Sequence, residues 1–236
     1  MIATKVRHKT GEGPNESGAS RQHILEGVHA SLRRLDTDYI DLYQTHWPHH
    51  DTPQEETLRA LDDLVKAGKV RYIGFSNEPA WRVMKAMWIS DRHNLNRFVS
   101  SQPPYSLVRR AGFESEHEAA CLDQGIGVIP YSPLQGGFLT GKYRRATMPD
   151  SVRAGELKKY CTEENFKLID LLEEHGKAHN ATVAQMALAW LLQRPAITAP
   201  IIGANSAAQL KDALGSVSIR LTPEDVLAID TASDWK

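Results

Sequence analysis

Cysteine, long apolar runs and any excess of one charge are all scarce in this 236-residue chain, and each scarcity removes a class of protein. The only cysteines are Cys121 and Cys161. That is too few for a disulfide framework, and neither has the C-x-x-C spacing of a zinc or dithiol site. They are read as two separate thiols. No apolar run approaches the ~18 residues of a membrane span, and the opening MIATKVRHKT has no apolar leader stretch, which points to a cytoplasmic protein that does not engage a membrane. Lys plus Arg is 28 and Asp plus Glu is 29, so no overall field favours nucleic acid. Any attraction for phosphate has to be local.

What is present is an alternating pattern. Short runs rich in β-branched and aromatic residues, at 2–6, 39–45, 70–75, 98–101, 127–131 and 199–202, alternate with longer stretches of helical period, the signature of a parallel α/β protein. Helix starts are marked at Ser20, at Thr52-Pro53 with Glu55, at Thr182 with Gln185, at Ser206 with Gln209 and at Thr222-Pro223. No linker or change of composition divides the chain, so residues 1–236 are read as one domain. A (β/α)8 barrel needs eight strand and helix units and about 250 residues. The six recognisable strands therefore suggest a TIM barrel lacking its first two β/α units, a domain incomplete at its N-terminus.

In parallel barrels the chemistry gathers where the strands run out. Each run here ends in a polar residue or glycine: Lys5, His46, Ser76-Asn77, Gln102, Tyr131-Ser132 and Gly203. The last run leads through GANS into a helix, whose N-terminal N–H groups and dipole suit an anion such as a nucleotide phosphate. Ser206 and Gln209 also fit a plain capping box, which makes Asn205 the better candidate ligand. Gly136, Gly137 and Gly141 with Lys142 form a loop suited to close backbone approach to a pyrophosphate, though it lacks the G-x-G-x-x-G pattern. His46 lies near His49 and His50, but no further ligand completes a metal site, so none is expected.

Five segments, DTDYIDLYQTHWP, KAGKVRYIGFSNE, SQPPYS, PYSPLQGGFLTGKY and IIGANSAAQL, resemble in order and spacing the landmarks of aldo-keto reductases, most closely the bacterial Tas-like branch and the potassium-channel beta subunits. The resemblance implies an oxidoreductase moving a hydride between NADP(H) and an aldehyde or ketone. A tyrosine protonates the substrate oxygen, a lysine lowers its pKa, an aspartate pairs with the lysine, and a histidine orients the carbonyl. Lys5 matches the lysine and His46 the histidine. The tyrosine and aspartate belong upstream of the lysine strand, so the chain as it stands is expected to be catalytically impaired. Tyr43 cannot substitute, because alternation along a strand turns it away from the face that carries His46.

For the cofactor, the resemblance implies that Ser76, Asn77 and Gln102 hold the nicotinamide carboxamide and that Tyr131 stacks on its ring. Ser132, Leu134, Gly136 and Lys142 would follow the pyrophosphate, and Gly203, Asn205, Gln209 and Asp212 would surround the adenosine and its 2′-phosphate. Asn205 stands where many relatives carry a cation or hydroxyl, and Ala213 where asparagine is frequent. This weakens the preference for NADP and leaves NAD open. Glu78 after Ser76-Asn77 fits the Tas-like branch. Trp47 is a candidate wall of a carbonyl-substrate pocket. A nucleotide-binding regulatory module is the alternative function, and the oligomeric state is left open.

Overall fold

The structure is a computed structural model that describes residues 1–145 and 154–235. It forms two compact units, Met1–Pro103 with Glu116–Val128 and Pro104–Ser115 with Ile129–Lys236.

The first unit is built on five parallel strands in sequence order: β1 (Ala3–Val6), β2 (Ile40–Thr45), β3 (Val70–Ser76), β4 (Ser100–Gln102) and β5 (Gly127–Val128). Parallel neighbours need crossovers, and helices supply them. Helix α1 (Arg21–Leu35) follows β1, α2 (Gln54–Lys66) follows β2 and α3 (Ala80–His93) follows β3. Helix α4 (Ala111–Glu114) belongs to the second unit, and α5 (His117–Gln124) returns the chain to β5. Each helix buries a stripe at helical spacing, such as Ile24, Val28 and Ser31 on α1 or Leu58, Leu61 and Leu64 on α2. Ser20 caps α1 by accepting from the His23 N–H. The cap expected at α2 does not form: Pro53 stands at the N-cap, the Thr52 hydroxyl instead meets His49 Nδ1 at 2.9 Å, and Glu55 accepts from Arg59.

The register puts Lys5 opposite Gln44, Gln44 opposite Gly74, and Gly74 opposite Ser100. These residues share one face of the sheet. On the other face Tyr43 reaches α1, where a Cβ on Gly27 would sit 3.1 Å from Tyr43 Oη. Ser101 meets His117 Nε2 at 2.8 Å on that same outer side.

The second unit is helical. It holds α4, α6 (Ala154–Leu157), α7 (Glu163–Ala178), α8 (Val183–Leu192), α9 (Ala207–Gly215) and α10 (Pro223–Ala232). Helix α8 is buried almost throughout, in keeping with its run of apolar residues, and carries the expected Thr182/Gln185 capping box. Buried polar groups tie the unit together. Asp225, which caps α10 with Thr222, takes His175 Nδ1 at 2.6 Å from α7 and His179 Nε2 at 2.8 Å from the residue that ends that helix. Arg110 bonds Glu114 at 2.8 Å and Ser233 Oγ at 2.8 Å, and Trp190 Nε1 donates to Asp230 at 3.0 Å.

The sixth expected strand, 199–202, is not part of the sheet. Within the second unit, its Ile201 N–H donates to the Pro130 carbonyl at 2.8 Å, but no ladder forms. Pro130 explains this: its carbonyl faces the run, but it has no N–H to give back to it, so the ladder is interrupted there. β5 is confined to Gly127–Val128, short of the expected 127–131; beyond it, Tyr131 makes an isolated parallel bridge with Pro104.

Candidate active site

Alternation along parallel strands brings Lys5, His46, Ser76 and Gln102 to one face and one end of the sheet in the first unit. The Val6 carbonyl accepts from the His46 N–H at 3.0 Å, so the ladder continues one residue beyond β2 and fixes where His46 leaves it. Ser76 donates its hydroxyl to the Gln102 carbonyl at 2.7 Å. Asn77, in the left-handed region at φ 61°, donates its amide to the His46 carbonyl and to Ser76 Oγ, each at 2.9 Å. Asparagine is one of the few residues that enters that conformation at small cost, which is why it can close three strand ends together.

Gln102 is buried, and its Nε2 donates to Gln44 Oε1 at 3.3 Å. Gln44 in turn donates to Ser100 Oγ at 3.5 Å. This relay leaves Gln102 Oε1 without a donor among the described residues. Gly74 makes room for it: a Cβ there would lie 2.6 Å from Ser100 Oγ and 3.3 Å from Gln44 Cγ.

Lys5 is half-buried and makes no hydrogen bond or ion pair among the described residues. Burial alone pulls its pKa below the ordinary lysine range, because an ammonium loses hydration there. His46 is held toward its neutral form, first by burial and then by the neighbouring charges of His8, Lys5 and Arg7. The His8 ring stands edge-on to His46, with centroids 4.4 Å apart and planes at 86°. Trp47 is 43% exposed beside this group. Glu78 is buried against Arg82 at 2.7 Å, and burial raises its pKa despite that partner.

The remaining candidates lie in the second unit. Tyr131 is half-buried, and its carbonyl accepts from the Tyr105 N–H at 3.3 Å. Ser132, at φ 56°, opens a tight turn in which its carbonyl accepts from Gln135 at 2.9 Å and that of Leu134 accepts from Gly137 at 2.9 Å. Gln135, Gly136 and Gly137 all have positive φ, and Lys142 folds back so that its Nζ would be 3.3 Å from a Cβ on Gly137.

Gly203 and Asn205 are exposed, and nothing lies within 4 Å of a Cβ placed on Gly203. Gln209 is engaged in capping: its N–H goes to Ser206 Oγ at 3.2 Å and its Oε1 accepts from the Asn205 N–H at 2.8 Å. Asp212 accepts from the Thr182 hydroxyl at 3.2 Å. Among the described residues there is no cluster of three or more metal-ligating side chains.

Sequence reasoning passed over Gln44, Ser100, Arg7 and His8. Gln44 carried a legible signal, a large polar residue two positions before His46 and therefore on the same face. The other three become visible only when neighbouring strands and the loop after β1 are placed side by side.

The family model for the aldo/keto reductase family matches residues 1–234. The chain belongs to the aldo/keto reductase family. Among its relatives is a protein of Aspergillus parasiticus named versiconal hemiacetal acetate reductase, 38% identical over 226 residues, covering 93% of this chain and 64% of that protein. Protein tas of Escherichia coli K12 is 36% identical, covering 97% of this chain and 72% of its own length. A probable voltage-gated potassium channel subunit beta of Arabidopsis thaliana is 35% identical, covering 94% and 70%. The chain thus spans slightly under two thirds of the fungal reductase. The parallel strands in sequence order, each crossing back through a helix, are those of the (β/α)8 barrel of aldo/keto reductases. No helix among the described residues is long and apolar enough to cross a membrane.

Proposed function

We propose that this aldo/keto reductase chain binds NADP(H) and acts on an aldehyde or ketone, or on an alcohol in reverse. The observation that carries this is the gathering of Lys5, His46, Ser76, Asn77 and Gln102 at one end of one sheet face, with Gln102 Oε1 left as an acceptor. A carboxamide NH2 is what such an acceptor takes, so the residues present fit a nicotinamide. Ser76 and Asn77 would hold the other edge of the amide. Taken by itself, the second unit offers Tyr131 as an aromatic face that could stack on a nicotinamide ring. Ser132, Leu134, Gly136 and Lys142 would follow the pyrophosphate, and Gly203, Asn205, Gln209 and Asp212 the adenosine end. Gln209 and Asp212 are occupied by Ser206, Asn205 and Thr182 and would have to exchange partners, which leaves NAD a workable substitute. Bound, the reduced nicotinamide supplies the two electrons that reduce a carbonyl carbon. His46, held neutral, would orient the carbonyl oxygen, and Lys5 would stabilise negative charge on a proton donor beside it.

That donor is the weak point of the chain. Of the tyrosines in the first unit, Tyr43 faces α1, Tyr39 lies under Arg71 and Tyr72, four residues before Ser76, shares the row of Ala3 and Leu42 two strands away from β1. None stands by Lys5. We therefore hold that the chain alone binds cofactor but turns over poorly, and that the two units form one domain, since a single family model spans both. The likeness to the potassium-channel beta subunit supports a second reading, a nucleotide-binding module without fast turnover.

Fluorescence titration with NADPH and with NADH tests the first claim: saturable binding that weakens in Gln102→Ala is expected, and binding of neither nucleotide would overturn the oxidoreductase reading. A steady-state assay with short aldehydes should give rates at background. Turnover well above background that disappears in Lys5→Ala would overturn the impairment.

A further inference from the structure

Immediately after β1 the chain does something its sequence does not announce. Arg7 takes φ 138°, a conformation that side chains rarely adopt, and is held there by the Gly18 N–H donating to its carbonyl at 2.8 Å. Such strain persists only where the surroundings enforce it, and it concentrates at functional positions. Among the described residues its Nε is buried with no hydrogen-bond partner, and the guanidinium makes no ion pair. An arginine so placed is unusual, since a buried donor without an acceptor costs about 1–3 kcal/mol.

The company it keeps is all basic. Lys5 precedes it by two residues, His8 follows and stands edge-on to His46 at 4.4 Å, and His46 responds to the charges of His8, Lys5 and Arg7 alike. The nearby acids are engaged elsewhere: Glu12 with Lys9, Glu16 with the Gly13 N–H, and Asp51 with His49 at 3.9 Å. Among the described residues no carboxylate pairs with Lys5, Arg7, His8 or His46. Lys5 and His46 have roles in the proposed chemistry. Arg7 and His8 have none, and hydride transfer to a neutral aldehyde gives no reason to place two more bases beside them.

We infer that Arg7, flanked by His8, is the docking point for a compact oxyanion group, a carboxylate or a phosphate, on the carbonyl substrate. The inference rests on the proposed carbonyl chemistry for the word substrate, but not for the anion site itself. A planar guanidinium offers paired donors to either group. With the anion at Arg7, the carbonyl would be presented to His46 on the adjoining strand, so charge recognition would also orient the reacting end.

The experiment has a binding arm and a turnover arm. In the first, malonate, inorganic phosphate and neutral malonamide are titrated into the chain while the His8 and His46 imidazole signals are followed by NMR. Malonate or phosphate should shift both rings saturably and malonamide neither, and which of the two anions binds tighter assigns the group. Arg7→Gln should weaken the anion by about tenfold, the loss of one charge-assisted contact, and Arg7→Lys should recover part of it. NADPH affinity should be equal in wild type and Arg7→Gln, which separates this site from the cofactor's own phosphates. Equal anion affinity in Arg7→Gln, or an equal response to malonamide, overturns the inference. In the second arm, aldehydes bearing a carboxylate or a phosphate are compared with their neutral esters. Arg7-dependent anion binding with no reduction of any aldehyde upholds the anion site and counts against the reductase reading alone. Measurable reduction with the same preference in Arg7→Gln as in wild type overturns the substrate role.

Discussion

Gln102 on β4 donates its side-chain amide to Gln44 on β2 across the intervening strand β3, at 3.3 Å. The Gln44 side chain can cross β3 because the residue opposite it there is Gly74, where a Cβ would lie 3.3 Å from Gln44 Cγ. The bond settles which end of the Gln102 amide faces outward, and so links a buried polar pair to the choice of ligand group at the strand ends.

Replacing Gln44 by Leu should therefore do two things at once. It leaves Gln102 Nε2 and Ser100 Oγ without partners, which should lower stability by about 1–3 kcal/mol in urea unfolding. It also frees the Gln102 amide to rotate, so nicotinamide nucleotide binding should weaken several-fold. Unchanged nucleotide affinity in a folded Gln44→Leu would show that the relay does not orient Gln102.

Gly74→Ala tests the close approach directly. The new methyl would lie 2.6 Å from Ser100 Oγ and 2.8 Å from the Ser100 carbonyl, so overpacking of about 1–3 kcal/mol is expected. Adding Ser100→Ala removes the hydroxyl but not the carbonyl, so the double variant should recover only part of the loss. Full recovery would mean that the side chain, and not the backbone, sets the limit.

Tyr43→Phe should leave stability equal or raise it. Tyr43 Oη is buried with no hydrogen-bond partner, and burial pushes its pKa well above the ordinary phenol range despite Arg34. Removing it deletes an unsatisfied group rather than a bond. Any turnover the chain shows should be the same in this variant, and its loss there would make Tyr43 the proton donor.

His117 carries a pH dependence. Burial lowers its pKa to about 4 from 6.5, so the folded protein holds it neutral against Ser101. A base whose folded pKa lies below its unfolded value contributes stability that is complete above the unfolded pKa and is lost as pH falls toward the folded one. Unfolding midpoints should accordingly decline between pH 6.5 and 4 and decline less in His117→Gln, while the His117 imidazole shows no titration between pH 8 and 6 by NMR. A ring that titrates near 6.5 in the folded chain contradicts its burial.

The amino-acid sequence by itself determined the parallel α/β class, the ends of the first four strands to within a residue, and the family. Strand and helix periods, caps and strand-end residues are local properties, and the ordered motifs around Lys5, His46, Ser76-Asn77 and Gln102 survive in a linear reading. Even the turning of Tyr43 toward the helices follows from a period of two. What only tertiary structure decided is what depends on register. That Gln44 rather than some other residue faces Gln102 is fixed by how β2, β3 and β4 slide against one another, and a shift of one residue would turn every side chain to the other face. The run at 199–202 looked like a strand because its apolar content is that of one. Whether it pairs depends on N–H groups of its neighbour, and Pro130, which accepts from Ile201, has none to give back. The arginine after β1 drew no attention in the sequence; only the folded loop, closed by Gly18, shows it strained, its Nε buried without a partner among the described residues, and its charge felt by His46.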